Sequence, residues 1–389
     1  MRRADLTYRG FRGVHNASPP EELPAGYVAD ALDGCFTQAG VFEALPAMVA
    51  WGGAATRASF CRGRVQLVLA ENGELHRLDD GQVLATELTG DWLAGDVLAD
   101  ATYLTDGQRM LRIDADGARP WTVDAPLPQA ECVTGSIPPG QYELGATWVL
   151  ADGRESHAEP FRVLFDVPGG LALRHTVPPP LTAVAARVYL TTQDGTELFL
   201  RGTWPIDLPE FRLIALGDAG PVLETAGLRP LPAGRAVAVW GARLAVAVDD
   251  TVVVSAPYLP HLWSTLGYRL EHPVTALAGL RAGLLVATSS GLWLLTGDDA
   301  AQATLVRLAW VSVHHQNPTP LGPQQLRHGD GWLPEGVLLV AESGVLHVSE
   351  DGTVTNLTAD VYTFPAGRRA AGAMVTLSRG WQFIFSIEE

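Results

Sequence analysis

The sequence predicts an all-β chain: a β-propeller-like array of antiparallel blades with an inserted immunoglobulin/fibronectin-like β-sandwich. Three observations carry that expectation. Apolar runs are short, rich in Val and Leu, and bounded by Asp, Gly, Ser or Pro, which suits strands rather than helices. One β-turn-β unit recurs four times. Between the second and third copies lies a different stretch of evenly spaced, alternating runs with no helical pattern.

Residues 1–50 read as an extended N-terminal arm, because Ser18-Pro19-Pro20 and Leu23-Pro24 hold the backbone out of the helical region. Two short strands follow, over Tyr27–Leu32 and Val41–Leu45. Such an arm suits pairing with the last strand to close a ring; a disordered leader is the competing expectation. Residues 51–130 form the first part of the propeller. They hold the first two copies of the unit, Leu67–Gly81 and Ala101–Gly117, and a further strand is expected at Trp121–Val123. Ala125-Pro-Leu-Pro128 reads as a stiff boundary.

Residues 131–215 are the expected sandwich, with strands at Tyr142–Leu150, Phe161–Phe165, Leu171–His175, Ala186–Thr191 and Leu198–Thr203. Residues 216–389 return to the propeller. Arg243–Val248 and Thr251–Ser255 reverse at Asp249-Asp250, and Leu284–Thr288 and Leu292–Thr296 reverse at Ser289-Ser290-Gly291. A surface excursion joins these two hairpins. The last two copies of the unit are Leu285–Asp298 and Leu338–Gly352, and Trp381–Ile387 alternates as a final strand. Gly closes the unit's first turn and Asp-Gly its second, as tight turns with positive φ demand. Roughly four to six blades are expected. A generic sandwich with Gly turns is the competing architecture.

Composition excludes several function classes. The net charge is −16, arginine carries the positive charge, and the Arg pairs lie near the ends at Arg2-Arg3 and Arg368-Arg369. Tight nucleic-acid binding needs clustered cations to release counterions, so DNA is expected to pass such a surface without specific binding. No apolar run approaches the roughly 18 residues of a membrane span. The first residues carry no secretory apolar core. Cys35, Cys61 and Cys132 show no metal or disulfide spacing, so free thiols made in a reducing cytosol are expected.

Catalytic motifs are missing: no nucleophile elbow, phosphate loop, dinucleotide fingerprint or His-Glu-x-x-His helix occurs. His314-His315 would point to opposite faces of a strand, which disfavours one shared metal. Asp114-x-Asp116-Gly117 opens like a calcium loop but lacks the later acidic ligand. Asp79-Asp80, Asp249-Asp250 and Asp298-Asp299 sit at expected turn tips. No enzymatic activity, cofactor or metal is therefore expected. Aromatic residues in the excursion, Tyr258, His261 and Trp263, are the candidate partner-binding residues; plugs between blades are the other reading of them.

Three segments resemble the β-propeller nozzle or hub proteins of short phage tails and related tail-tip proteins. The arm matches at Phe11, Gly13, Asn16, Pro19, Pro20, Leu23, Pro24, Asp30 and Pro46; where that family ends the arm in Arg-Arg-Pro-Gly, this chain has Glu43-Ala-Leu-Pro46. The second match is Gly140-Gln-Tyr-Glu-Leu144, Asp152–Ser156 and Val188–Thr192. The third is Val254–Trp263 with Gly291–Gly297 downstream. The resemblance implies a non-enzymatic virion protein, made in the host cytoplasm and assembled as a ring homo-oligomer in the tail. It further implies contacts with other tail proteins or fibres and with passing genomic DNA. Recognition of a host receptor or carbohydrate is the alternative, and a propeller glycosidase, which needs two facing carboxylates, a more distant one.

Overall fold

The computed structural model describes residues 55–297, 302–328, 331–359, 364, 369–377 and 380–388, with short segments at 13–14, 22–23, 27–28, 34–36 and 42–44. The chain is all-β, with no α-helix among the described residues. Accordingly, no helix there is long and apolar enough to cross a membrane.

Five antiparallel sheets succeed one another as blades. Blade I is Thr56–Arg62, Val65–Ala70, Leu75–Arg77 and Val83–Ala85; blade II is Ala94–Leu98, Ala101–Thr105, Met110–Asp114 and Gly117–Pro120. Blade III is Ala236–Trp240, Arg243–Val248, Thr251–Ala256 and Leu259–Arg269, with Arg229–Pro230 on its outer edge. Blade IV is Val274–Leu280, Gly283–Thr288, Leu292–Thr296 and Thr304–Ala309. Blade V is Thr319–Leu321, Gly336–Ala341, Gly344–Ser349 and Val354–Asn356. A C-terminal hairpin, Arg369–Leu377 with Gly380–Glu388, packs on the face of blade V away from blade IV through Ala370, Phe383 and Phe385.

Both faces of an inner blade are buried, and the two-residue period of a strand divides its side chains between two neighbours. Blade IV is the clearest case. Leu284, Val286 and Leu295 join Ala245, Val252 and Val254 of blade III. The intervening Leu285, Ala287 and Leu294 join Val337, Leu339 and Leu346 of blade V. Two-sided burial is why these strands read as continuous Val/Leu runs instead of alternating apolar and polar.

The four recurring units are the second and third strands of blades I, II, IV and V. Their first turns hold Gly73 at φ 83° and Gly107 at φ 89°, the left-handed conformation that the turn requires. At 289–291 the mechanism differs. Gly291 has no positive φ; instead Thr288 Oγ1 accepts hydrogen bonds from the Ser290 and Gly291 N–H groups.

The expected excursion after Ala256 is not a loop. It contains two strands, Leu259–Arg269 ending blade III and Val274–Leu280 opening blade IV. Trp121–Val123 forms no strand; Trp121 is buried and its indole N–H leaves to the Pro260 carbonyl, 2.9 Å away, on blade III. Among the described residues, the arm's short strands pair only with each other. Phe11, Asn16, Pro19, Pro20, Pro24, Asp30 and Pro46, and the Asp298-Asp299 pair, lie outside the described residues.

The sandwich strands fall between blades II and III. One sheet runs Phe161–Phe165, Gly140–Leu150, Ala183–Leu190, Phe199–Pro205; the other runs Pro128–Ile137, Gly169–His175, Glu210–Leu213. The neighbours match an immunoglobulin-type order in which the usual first strand is missing and a last strand is added at the opposite edge. Trp148, Trp204 and Tyr142 fill its core, and the His175 ring stacks on Trp204 at 3.7 Å.

Candidate functional site: the propeller hub

The first strand of each blade lies innermost. These strands are built from small residues, Ala94-Gly95 in blade II and Ala236-Val-Ala in blade III, because they crowd one another. Gly279 shows how tightly: a Cβ there would sit 1.9 Å from the Val239 carbonyl oxygen of the next blade. Asp96, nearly fully buried, binds three inner strands together. Its Oδ1 pairs with Arg62 Nη2 at 2.9 Å, and its Oδ2 accepts the Val239 N–H at 2.9 Å.

In blade V the innermost strand is cut short to Thr319–Leu321, and the chain leading into it crosses the hub. Val313 makes one bridge to Ala341 and pairing resumes at Thr319. The residues between, His314–Pro318, reach every blade. Pro318 O accepts from Arg62 of blade I, and Asn317 Nδ2 donates to Leu93 O at the entry to blade II. His315 Nε2 donates to Arg235 O beside blade III, and Gln316 N to Thr275 O of blade IV. Gln316 closes the gap in blade V. Its Oε1 accepts the Val340 N–H at 2.9 Å and its Nε2 donates to the Val340 carbonyl at 2.6 Å, as a neighbouring strand's peptide would.

One end of the hub opens into a cavity of about 150 Å³ lined by Thr89–Trp92, Asp106–Gln108, Arg235, His315 and Arg369. Trp92 is its wall. The His315 ring lies 4.4 Å away, the Arg369 guanidinium 5.8 Å away, and the indole N–H donates to Arg235 O. Arg369 pairs with Asp91, and that hydrogen bond holds the Asp91 carboxyl below the usual carboxylate range. Burial pushes His315 down to about 4, so its ring is neutral at physiological pH.

The structure separates the three residues singled out in the sequence. Tyr258 is 97% exposed, on the turn after blade III's third strand, with φ 60°. His261 is buried against the sandwich: its Nε2–H donates to Glu155 O at 2.9 Å and its ring meets Trp121 edge-on. Trp263 lies within a strand, opposite Arg229 and Ser255, packed among residues of blades II and III. Only Tyr258 is therefore a free surface aromatic. Of the His doublet, both rings are buried at the hub. Asp114 is engaged by Arg112 and Arg119. Among the described residues no three His, Cys, Asp or Glu groups converge as metal ligands. The hub itself had no signal in the sequence beyond His314-His315, because its parts are scattered from Arg62 to Arg369.

No family model and no curated protein matches the chain. Among solved structures it is similar to BBS1N, crystallised in complex with ARL6DN, at 12% identity and a TM-score of 0.31, covering 88% of this chain and 94% of that one. It is also similar to the computationally designed protein Ika8, at 14% identity and a TM-score of 0.25, covering 83% and 90%. Sqt1 of Saccharomyces cerevisiae follows at 9% identity and 0.22, covering 80% and 96%. Likeness at that level carries nothing about function.

Proposed function

We propose that the chain is a non-enzymatic structural protein of a bacteriophage tail. Copies assemble as a ring at the distal end and dock other tail proteins or fibres. The observation that carries this reading is the order of parts: an arm with Pro-Pro and Leu-Pro, two blades, an inserted sandwich, then blades with Val254–Trp263 and Gly291–Gly297. Apolar side chains that are each more than half exposed stand at both ends of the larger sandwich sheet, Leu164 and Val167 at one and Leu181 and Val184 at the other, where docked partners would cover them. The hub supports a specific channel geometry. With His314–Pro318 across the axis, genomic DNA passes between subunits and not through a blade ring, and the net charge of −16 keeps it from sticking.

The test is native mass spectrometry of the purified chain together with proteomics and labelled imaging of virions. A ring-sized oligomer and tail-end label are expected. A monomer that is absent from virions refutes the proposal. A receptor- or carbohydrate-binding role is favoured by one feature, the exposed, left-handed Tyr258; glycan-array binding lost in Tyr258→Ala would establish it.

A further inference from the structure

The sandwich carries one segment that the fold leaves bare and the sequence makes rigid. Residues 177–181 read Val-Pro-Pro-Pro-Leu and join Gly169–His175 to Ala183–Leu190 without forming a strand. Proline fixes its own φ at about −65° and pushes the residue before it into extended backbone. Val177, Pro178 and Pro179 each precede a proline, so three successive residues make one polyproline turn. Pro180 then opens a reversal in which its carbonyl accepts the Ala183 N–H at 2.9 Å. The outer edge is apolar: Val177 and Pro178 are exposed, and Leu181 wholly so. Prefolded proline ridges of this kind dock on aromatic rings, because little conformational entropy is left to lose.

Blade IV presents such a ring. Trp310 directly follows the outermost strand, Thr304–Ala309, and at 76% exposure it is the most open tryptophan among the described residues. Arg307 pairs across the sheet with Trp293, and its guanidinium lies over both indoles, 4.0 Å from the Trp293 centroid and 3.4 Å from that of Trp310. The stack holds the Trp310 plane and occupies one of its faces; the other meets solvent. Three facts point to a second copy as the occupant. Neither surface is covered within its own chain. Copies with a net charge of −16 repel each other, which confines self-association to places without excess acid. Residues 175–185 hold no Asp, Glu, Lys or Arg, and residues 303–313 hold Arg307 alone, with Glu271 3.9 Å away to balance it. Last, a ring needs two different patches on each copy, and a ridge on the sandwich with a platform on a blade is such a pair. We propose that the 177–181 ridge of one copy docks on the open face of Trp310 in the next. This rests on the ring assembly proposed above and names its contact. Because the two patches differ, the contact runs head to tail and closes where the rotation permits.

Sedimentation velocity of the full chain, at protein concentrations up to about 1 mM, compares the parent with Leu181→Asp, Trp310→Ala and an equimolar mixture of the two. Both side chains are exposed, so melting midpoints like the parent's are expected. The parent should assemble beyond a dimer, and each variant alone should associate about 30-fold more weakly or worse, the loss typical of an anchoring residue. In the mixture, Trp310 of the Leu181→Asp chain still receives the ridge of the Trp310→Ala chain, so heterodimers form and nothing larger. Val177→Asp repeats the ridge test on an independent side chain and should match Leu181→Asp. A parent assembly that any of these variants leaves at full strength overturns this contact while the ring reading stands, and a mixture without heterodimers does the same. A parent that stays monomeric also overturns the contact, and virion proteomics then decides the tail assignment separately.

Discussion

Gln316 performs with a side chain what a strand performs with its backbone. Its amide is fully engaged by Val340 on both sides and also reaches the His314 carbonyl. Gln316→Leu keeps the approximate volume and strips these bonds, leaving the buried Val340 N–H without its partner while the Val340 carbonyl keeps the His314 N–H. At about 1–3 kcal/mol for that stranded group, a loss of the same size in unfolding free energy is expected by urea titration. A neutral result would mean the hub relaxes to re-pair Val340. His315 supplies a pH signature. Its folded value, about 4, lies below the ordinary 6.5, so the unfolded chain takes up the proton first as pH falls. Stability is then complete above about pH 6.5, declines between 6.5 and 4, and levels off below 4. A total loss on the order of 3 kcal/mol follows from the linkage relation. His315→Gln should flatten that stretch of the stability–pH curve; an unchanged slope would assign the effect to other groups.

At the scale of strands, the inner ring depends on Asp96. Its carboxylate ties Arg62 of blade I and the Val239 amide of blade III to blade II. Asp96→Ala leaves the largely buried Arg62 charge with only the Pro318 carbonyl. A cost of about 3–5 kcal/mol is expected for breaking a buried pair from one side, together with faster hydrogen exchange in Thr56–Arg62 and Ala236–Trp240. Exchange confined to Ala94–Leu98 would contradict the bridging role. These same inner strands were the ones the sequence concealed. The second and third strands of each blade announced themselves through Val/Leu runs and Gly or Asp turns. Ala94-Gly-Asp-Val-Leu98 and Val274-Thr-Ala-Leu-Ala-Gly-Leu280 instead carry small residues, selected by crowding against the neighbouring blade. That pressure comes from tertiary packing and leaves no period-2 pattern to read. Trp121 misled for the opposite reason. Its Trp-Thr-Val context favours a strand, yet the ring is drawn out of the sheet by Tyr103, His261 and Arg154. The hub cavity was illegible altogether, since nothing local links Trp92, Arg235, His315 and Arg369.

For the whole molecule, the decisive contact is the junction of propeller and sandwich. Trp121 is 3% exposed and sits at its centre. The Arg154 guanidinium of the sandwich lies 4.2 Å from the indole centroid and donates to the Trp121 carbonyl. Beside it, His261 reaches Glu155 O at 2.9 Å and Thr225 Oγ1 reaches Ser156 O at 3.1 Å. The sandwich needs none of these to keep its own core, which closes around Trp148, Trp204 and Leu144. The junction therefore couples two cooperative units and does not build either one. Trp121→Ala removes a large buried ring shared by both, a change of about 3–5 kcal/mol. Calorimetry should then resolve two unfolding transitions where the parent shows one, and small-angle scattering should show a wider spread of domain orientations. Arg154→Gln gives the milder version: it removes the cation over the ring but keeps the packing, so the parent's single transition should broaden without splitting. One sharp transition in Trp121→Ala would place the coupling elsewhere, in the Thr225–Ser156 and His261–Glu155 contacts.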